Sequence, residues 1–401
     1  MPRLADRTRL IESSPTMAIT ATVDRLRRSG VEIIDFGAGE PDFTTPEPVK
    51  AAAHRALDEN FTRYTPNSGI VELKRAICDR YRTDYGVEYT EAETLVTAGG
   101  KQALFNAALS AFGPGDEVIT HAPCWPTLTE QIKLAGAKPV LVRVHADDGF
   151  AIRAESILAA VTPRTRGIIL NSPCNPTGAL VTEDAAAAIG AAARRQDLWI
   201  LVDLCYEKLI YDAVAHNLPA VFARECRDLT VLCGSASKAY AMTGWRCGWA
   251  LGPAPLIAAS AAIQSHSTSN VSSITQKAAV TALTGSQATV RAMLDEYRTR
   301  RDNLYDWLSA DARLRCQKPA GTFYMFIDVG ELLSVDGLRT SAALAQALLD
   351  ESRVAVTPGE AFDAPGFIRI SYATSMDHLR EGSRRLLAFV QAHAPRAVAA
   401  G

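Results

Sequence analysis

"LTVLCGSASKAYAMTGWRCGWALG", residues 229–252, opens with one apolar run and closes with another, and between them it sets Lys238 among serines and aromatics. Arg246 follows eight positions later. Open parallel sheets bind ligands in the crevice beyond the carboxyl ends of their strands. A lysine just past such an end is therefore placed for chemistry, and the runs on either side become the key to the fold.

Five more runs of the same kind precede it: "TLVTAG", "EVITHAP", "KPVLVRV", "RGIILNSP" and "LWILVDL". Helical stretches separate them, among them "TEDAAAAIGAAARRQD", whose alanines, glutamate and arginines are strong helix formers. Such alternation predicts a mostly parallel sheet flanked by helices. After a long charged helix, "VRAMLDEYRTRRDNLYDWL", shorter apolar runs "GTFYMFIDV", "VAVTPG" and "FIRISYA" lead to a last amphipathic helix, "DHLREGSRRLLAFVQA". These read as a smaller α/β lobe. The expected division is an amino-terminal segment, 1–45, with no strand order of its own, lying against the small lobe and the site; a large domain, 46–290; and a small domain, 291–401.

Composition narrows the function. With 401 residues, 48% apolar and 21% charged, the chain has the make-up of a globular enzyme. A formal charge of −2, from 42 basic and 44 acidic side chains, leaves no footprint for nucleic acid or an anionic membrane. No apolar stretch reaches the ~20 residues of a membrane span, and the first residues lack a signal-peptide core. The eight cysteines show neither CxxC pairs nor metal-ligand spacing, so neither a metal site nor a disulfide framework is expected. A small-molecule enzyme of the reducing cytoplasm is the expectation.

Four strand ends carry uncommon polar residues. "LVTAGGKQALFN" is a strand, a glycine turn and a helix start, so the amides of Gly100, Lys101 and Gln102 form an anion site of the kind phosphates occupy. "GIILNSPCNPTG" leaves its strand with Asn175, "LWILVDLCY" ends in Asp203 and Tyr206, and "LTVLCGSASK" ends in Lys238. Each alone is commonplace: a surface lysine, a capping aspartate, an Asn-Pro turn. Together they offer a phosphate cradle, a carboxylate, two hydrogen-bonding groups and an amine. That set suits pyridoxal phosphate, whose aldehyde condenses with a lysine amine and whose ring nitrogen pairs with a carboxylate.

On these residues and on "GAGEPDFTTP", "YTPNSGIVELKRAI", "GGKQALFN", "NSPCNPTG", "SKAYAMTGWRCG" and "IRISYATS", the chain resembles the class I/II, fold type I, pyridoxal phosphate aminotransferases. Within them it is most similar to the prokaryotic aspartate aminotransferase subgroup. The resemblance implies a large domain with a seven-stranded, mostly parallel sheet and a smaller α/β domain. It makes Lys238 the lysine that carries the cofactor and shuttles the proton, and Asp203 the partner of the ring nitrogen. Asn175 and Tyr206 would hold the ring hydroxyl and Trp125 would stack on the ring. Ser235, Arg246 and the Gly100–Gln102 turn would take the phosphate, and Tyr64 would reach the phosphate of a neighbouring subunit in a homodimer with shared sites. Arg369 would bind the substrate α-carboxylate, helped by the Gly39 backbone and Asn175, while Lys101 and Thr16 would meet a side-chain carboxylate. An arginine inside the apolar "FIRISYA" also needs a planar anion on physical grounds. The implied substrates are an L-amino acid of the aspartate or glutamate type, with aromatic or neutral donors alongside, and a 2-oxo acid such as 2-oxoglutarate.

Three departures stand out. Cys124 replaces the tyrosine that relatives carry before the tryptophan, Leu204 follows Asp203, and Glu12 reverses the charge that prephenate-acting relatives carry in their amino-terminal segment. The alternatives on the same fold are a carbon–sulfur lyase or other eliminase, an aromatic or prephenate aminotransferase, and a cofactor-sensing regulator. No role is assigned to Cys124, Cys174 or Cys205.

Overall fold

The seven runs fold into one sheet. A computed structural model describes residues 3–11, 15–335 and 337–393, with backbone alone for 15–21. A two-residue strand, β1 (Ile34–Asp35), comes first. The runs follow as β2 (Thr94–Thr97), β3 (Glu117–Ala122), β4 (Lys138–Arg143), β5 (Thr165–Asn171), β6 (Trp199–Asp203), β7 (Thr230–Ser235) and β8 (Gly248–Leu251). Their order across the sheet is β2-β8-β7-β6-β5-β3-β4. β8 runs antiparallel to both β2 and β7, so the other six strands share one direction and their carboxyl ends form a single edge.

Both faces of this sheet are covered, which is why its strands read as unbroken apolar runs. Ile168, Leu170, Ile200, Val202 and Leu232 pack into one core. Ile169, Leu201, Val231 and Cys233, one residue out of phase, pack into a second core on the opposite face. Burying each aliphatic side chain contributes ~1.5–3 kcal/mol, so both faces hold the strand ends in place. Flanking helices are capped by their own sequence: the Thr182 hydroxyl accepts the Ala185 amide at the start of helix Glu183–Gln196, with Glu183 and Asp184 in its first turn and Arg194 and Arg195 in its last.

The later strands, β9 (Arg315–Cys316), β10 (Tyr324–Asp328), β11 (Val354–Ala355), β12 (Thr357–Pro358) and β13 (Phe367–Ser371), build a smaller layer. β12-β13-β10-β9 form an antiparallel sheet, and β11 pairs in parallel with β1. The amino-terminal stretch thus contributes a strand of its own, contrary to expectation. Two residues are too few to leave an alternating pattern in the sequence. Arg300, on helix Ala288–Leu308, anchors the stretch that follows through a 2.8 Å ion pair to Asp42.

Candidate active site

Residues from five of the parallel strand ends and from the small sheet line one cavity of about 340 Å³. After β2, Gly99 has φ +88 and a side chain there would meet Arg246 Nη2 at 2.6 Å, so only glycine suits the turn. Helix Gly100–Ala111 starts there, and Gly100 and Lys101, whose amides have no intrahelical acceptor in the first turn, both line the cavity. Gln102 does not line the cavity. Its amide donates to Gly99 O at 3.1 Å, and its side chain accepts from the Ala98 amide and donates to Thr268 Oγ1, away from the cavity.

Asp203 ends β6, and its side chain is 3% exposed. Its carboxylate accepts the Cys205 amide at 3.0 Å and is in no ion pair among the described residues, the Lys238 charge acting on it from further off. Burial pushes its pKa up to about 6, against the opposing pull of the Cys205 amide and the Lys238 charge. A buried carboxylate without a cation is costly, and a protonated ring nitrogen would relieve that cost.

Lys238 follows the β7 end, and its amine donates to the Gly39 carbonyl. Beside it the Ser235 hydroxyl accepts the Ser237 amide at 3.0 Å and donates to Ser237 Oγ at 2.9 Å. Arg246 spends Nη1 on Thr243 O, 2.8 Å, and Nη2 on Ala98 O, 3.3 Å, with no carboxylate in either contact. The Tyr206 hydroxyl meets that of Tyr324 at 2.9 Å, and burial raises its pKa. Lys101 Nζ sits 4.7 Å from the Trp125 ring centroid. Desolvation and the charges of Arg246 and Lys238 hold the Lys101 pKa below the usual lysine range.

Arg369 enters from the other lobe. It lies on β13 opposite Phe326 and Thr357, is 2% exposed, and stands 4.1 Å from the Tyr324 ring centroid. Nη1 donates to Asn175 Oδ1 at 2.9 Å, Nη2 to Gly37 O at 3.0 Å, and Nε has no partner. Every acceptor is neutral. A guanidinium buried among neutral acceptors with an orphaned N–H is built for an anion from outside.

The cavity therefore joins Gly39, Gly100, Lys101, Trp125, Asn175, Asp203, Tyr206, Ser235, Lys238, Arg246 and Arg369. Tyr64, 92% exposed, stands apart beside Thr62, Arg63 and the 268–274 stretch. Glu12 and the side chain of Thr16 lie outside the described residues. Gly37, Asn171, Ser237, Thr243 and Tyr324 also line the cavity and were missed. Ser237 and Asn171 sit inside motifs already singled out and could have been found there; Tyr324 arrives from the second sheet with no local signal. Cys205 lines the cavity too, its thiol pushed up to about 12 by burial, while Cys124 and Cys174 are buried.

The sequence pattern of the family described as aminotransferase class I and II matches residues 31–386. An aspartate/prephenate aminotransferase of Cereibacter sphaeroides is 42% identical over 395 residues, covering 97% of this chain and 99% of that protein. An aspartate aminotransferase of Geobacillus stearothermophilus is 40% identical, covering 98% and 100%. Among solved structures, Thermus thermophilus aspartate aminotransferase with maleate superposes with a TM-score of 0.92 at 39% identity, covering 97% of this chain and 100% of that one.

Proposed function

The chain belongs to the class I and II aminotransferases, a pyridoxal-phosphate-dependent family, and from that premise we propose that it moves the amino group of aspartate or glutamate to a 2-oxo acid such as 2-oxoglutarate. The observation that carries this reading is the charge of the cavity. Lys101, Lys238, Arg246 and Arg369 line it against one carboxylate, Asp203. Such an excess of cations suits a phosphate and the carboxylates of an amino acid bound together.

The residues fit the cofactor. Asp203 has no ion-pair partner among the described residues, and the Gly100–Lys101 turn, Ser235 and Arg246 form a cradle of donors without a carboxylate. When bound, pyridoxal phosphate supplies an aldehyde that takes the amino group and a ring that accepts the electron pair left by the α-proton. Asp203 would hold the proton on the ring nitrogen, and its poor solvation keeps that interaction strong. Lys238 Nζ would take the proton from the substrate α-carbon and deliver it to the former aldehyde carbon on the other side of the amino nitrogen, serving in turn as base and acid. Asn175, with Oδ1 held by Arg369, keeps its Nδ2 free to donate into the cavity. Arg369 would orient the α-carboxylate, and Lys101 at the cavity wall would receive a second one.

We extend the proposal to a cytoplasmic homodimer with shared sites. Exposed Tyr64, set away from its own cavity, supports a role toward a partner's site. The 1–45, 46–290 and 291–401 division belongs to the same proposal, as does a poor reaction with prephenate. The test is product balance. Aspartate with 2-oxoglutarate should give oxaloacetate and glutamate in equal amounts, and aspartate alone should release one oxo acid per site and stop. Repeated release of ammonia from the donor alone would refute amino transfer in favour of elimination.

A further inference from the structure

Two imidazoles outside the cavity grip consecutive residues of the turn that carries Asn175. Asn171 closes β5 and Ser172 follows it. The Asn171 amide donates to His121 Nε2 at 3.4 Å, and the ring's other nitrogen, Nδ1, reaches Pro123 O at 3.1 Å. An amide N–H can only donate, so Nε2 carries no proton and Nδ1 donates to the carbonyl. His121 thereby joins the strand end leading to Asn175 with the turn leading to Trp125.

The second grip is tighter. Ser172 Oγ lies 2.8 Å from His216 Nε2 and accepts the Val181 amide at 2.9 Å. Ser172 is fully buried. A protonated Nε2 would leave the hydroxyl proton without an acceptor there, so the hydroxyl donates and the imidazole accepts. From this turn the bonds lead to the substrate. Asn171 Oδ1 accepts the Asn175 amide at 2.8 Å, and Asn175 Oδ1 accepts Arg369 Nη1 at 2.9 Å.

We infer that His121 and His216 are positioning residues of the amino-transfer site: as unprotonated acceptors they fix the 171–175 turn, and through Asn175 they aim the Arg369 guanidinium at the substrate α-carboxylate. The inference rests on the carboxylate being bound at Arg369. Burial favours the required state, pushing both rings down to about 4; for His216 neighbouring Glu183 opposes that shift.

A misaimed guanidinium weakens binding of every substrate bearing an α-carboxylate, donor and acceptor alike, more than it slows the chemistry. His216→Leu and His121→Leu should each raise KM for aspartate and for 2-oxoglutarate roughly tenfold, with kcat within about threefold. Glutamine keeps a neutral acceptor, so His216→Gln should return KM to within about threefold of the parent. Ser172→Ala removes the same bond from its other side, together with the acceptor of the Val181 amide. It should raise KM at least as much, with an effect in the His216→Leu background smaller than alone, and it decides the matter where the leucine variant fails to fold. Unchanged KM in folded His216→Leu or Ser172→Ala, with only a lower unfolding temperature, overturns the inference. Arg369→Gln is the control. If its KM values rise and those of the other variants do not, the positioning role is wrong; if its own do not rise, the carboxylate site is misplaced.

Discussion

Asp203→Asn should stabilise the cofactor-free protein while disabling the enzyme. The native pKa of about 6, against an ordinary 3.8, means that the folded chain disfavours the charged form. About two units at about 1.4 kcal/mol each make the ionised carboxylate cost about 3 kcal/mol in the folded state. For a raised acid that cost is complete above pH 6 and disappears as pH falls toward 3.8, because the folded state then takes the proton first. Asparagine removes the charge and keeps an acceptor for the Cys205 amide, but leaves a buried NH₂ short of partners at about 1 kcal/mol. The net gain is ~2 kcal/mol at pH 8. With an unfolding entropy of roughly 2.1 cal/mol/K per residue, that corresponds to a Tm rise of ~2–3 °C for a chain of this size. Near pH 5 the charge costs about half as much, so the rise should shrink with it. Scanning calorimetry on cofactor-stripped protein at pH 8 and pH 5 measures this. The same substitution should lower turnover of the loaded enzyme ~100-fold, about 3 kcal/mol of transition-state stabilisation. A lower Tm at pH 8, or turnover within about threefold of the parent, would refute the reasoning.

Lys238→Ala should abolish turnover, and borohydride reduction of the loaded enzyme should leave the pyridoxyl group on the peptide containing Lys238; an adduct on another lysine would overturn that assignment. Lys101→Ala should lower kcat/KM for aspartate ~10-fold or more, about 1.4 kcal/mol, and leave phenylalanine little changed; equal losses would assign Lys101 to the cofactor or the fold. His121 and His216 have folded pKa values below the unfolded 6.5, so their contribution is intact above pH 6.5 and is lost as pH falls toward 4, by up to about 3 kcal/mol for fully buried His121 and less for half-buried His216. Urea melts at pH 7 and pH 4.5 should show that loss, reduced in His121→Gln.

The sheet was legible because strands covered on both faces leave unbroken apolar runs, and all seven runs became strands of it. Their order was not, since nothing local in "TLVTAG" or "GWALG" says that β8 inserts between β2 and β7. Site residues at strand ends were legible for the same reason as the strands. Proximity to a helix start does not say which amides stay free: at Gln102, one residue beyond Lys101, Gly99 O already accepts the N–H. Gly37, like Ser237 and Asn171, sat inside a quoted motif and was passed over, whereas Tyr324 was invisible because it reaches the cavity from the second sheet, where it meets the Tyr206 hydroxyl and the Arg369 guanidinium.

What unites these residues is a cavity kept electrostatically unbalanced. Among the described residues, Arg369 has an orphaned Nε among neutral acceptors, Asp203 has one amide and no ion pair, and Arg246 has two carbonyls and no carboxylate. Each arrangement costs folding free energy that a closed salt bridge would save, and each leaves an opposite charge to be supplied by ligand. Binding to the folded state alone returns that free energy as RT ln(1 + [L]/Kd). The cofactor and the α-carboxylate should therefore raise Tm by separate, additive amounts, the first depending on Asp203 and Arg246 and the second on Arg369. The two imidazoles behind Asn175 fit the same scheme, since an arginine without an internal anion needs outside groups to hold its aim before substrate arrives.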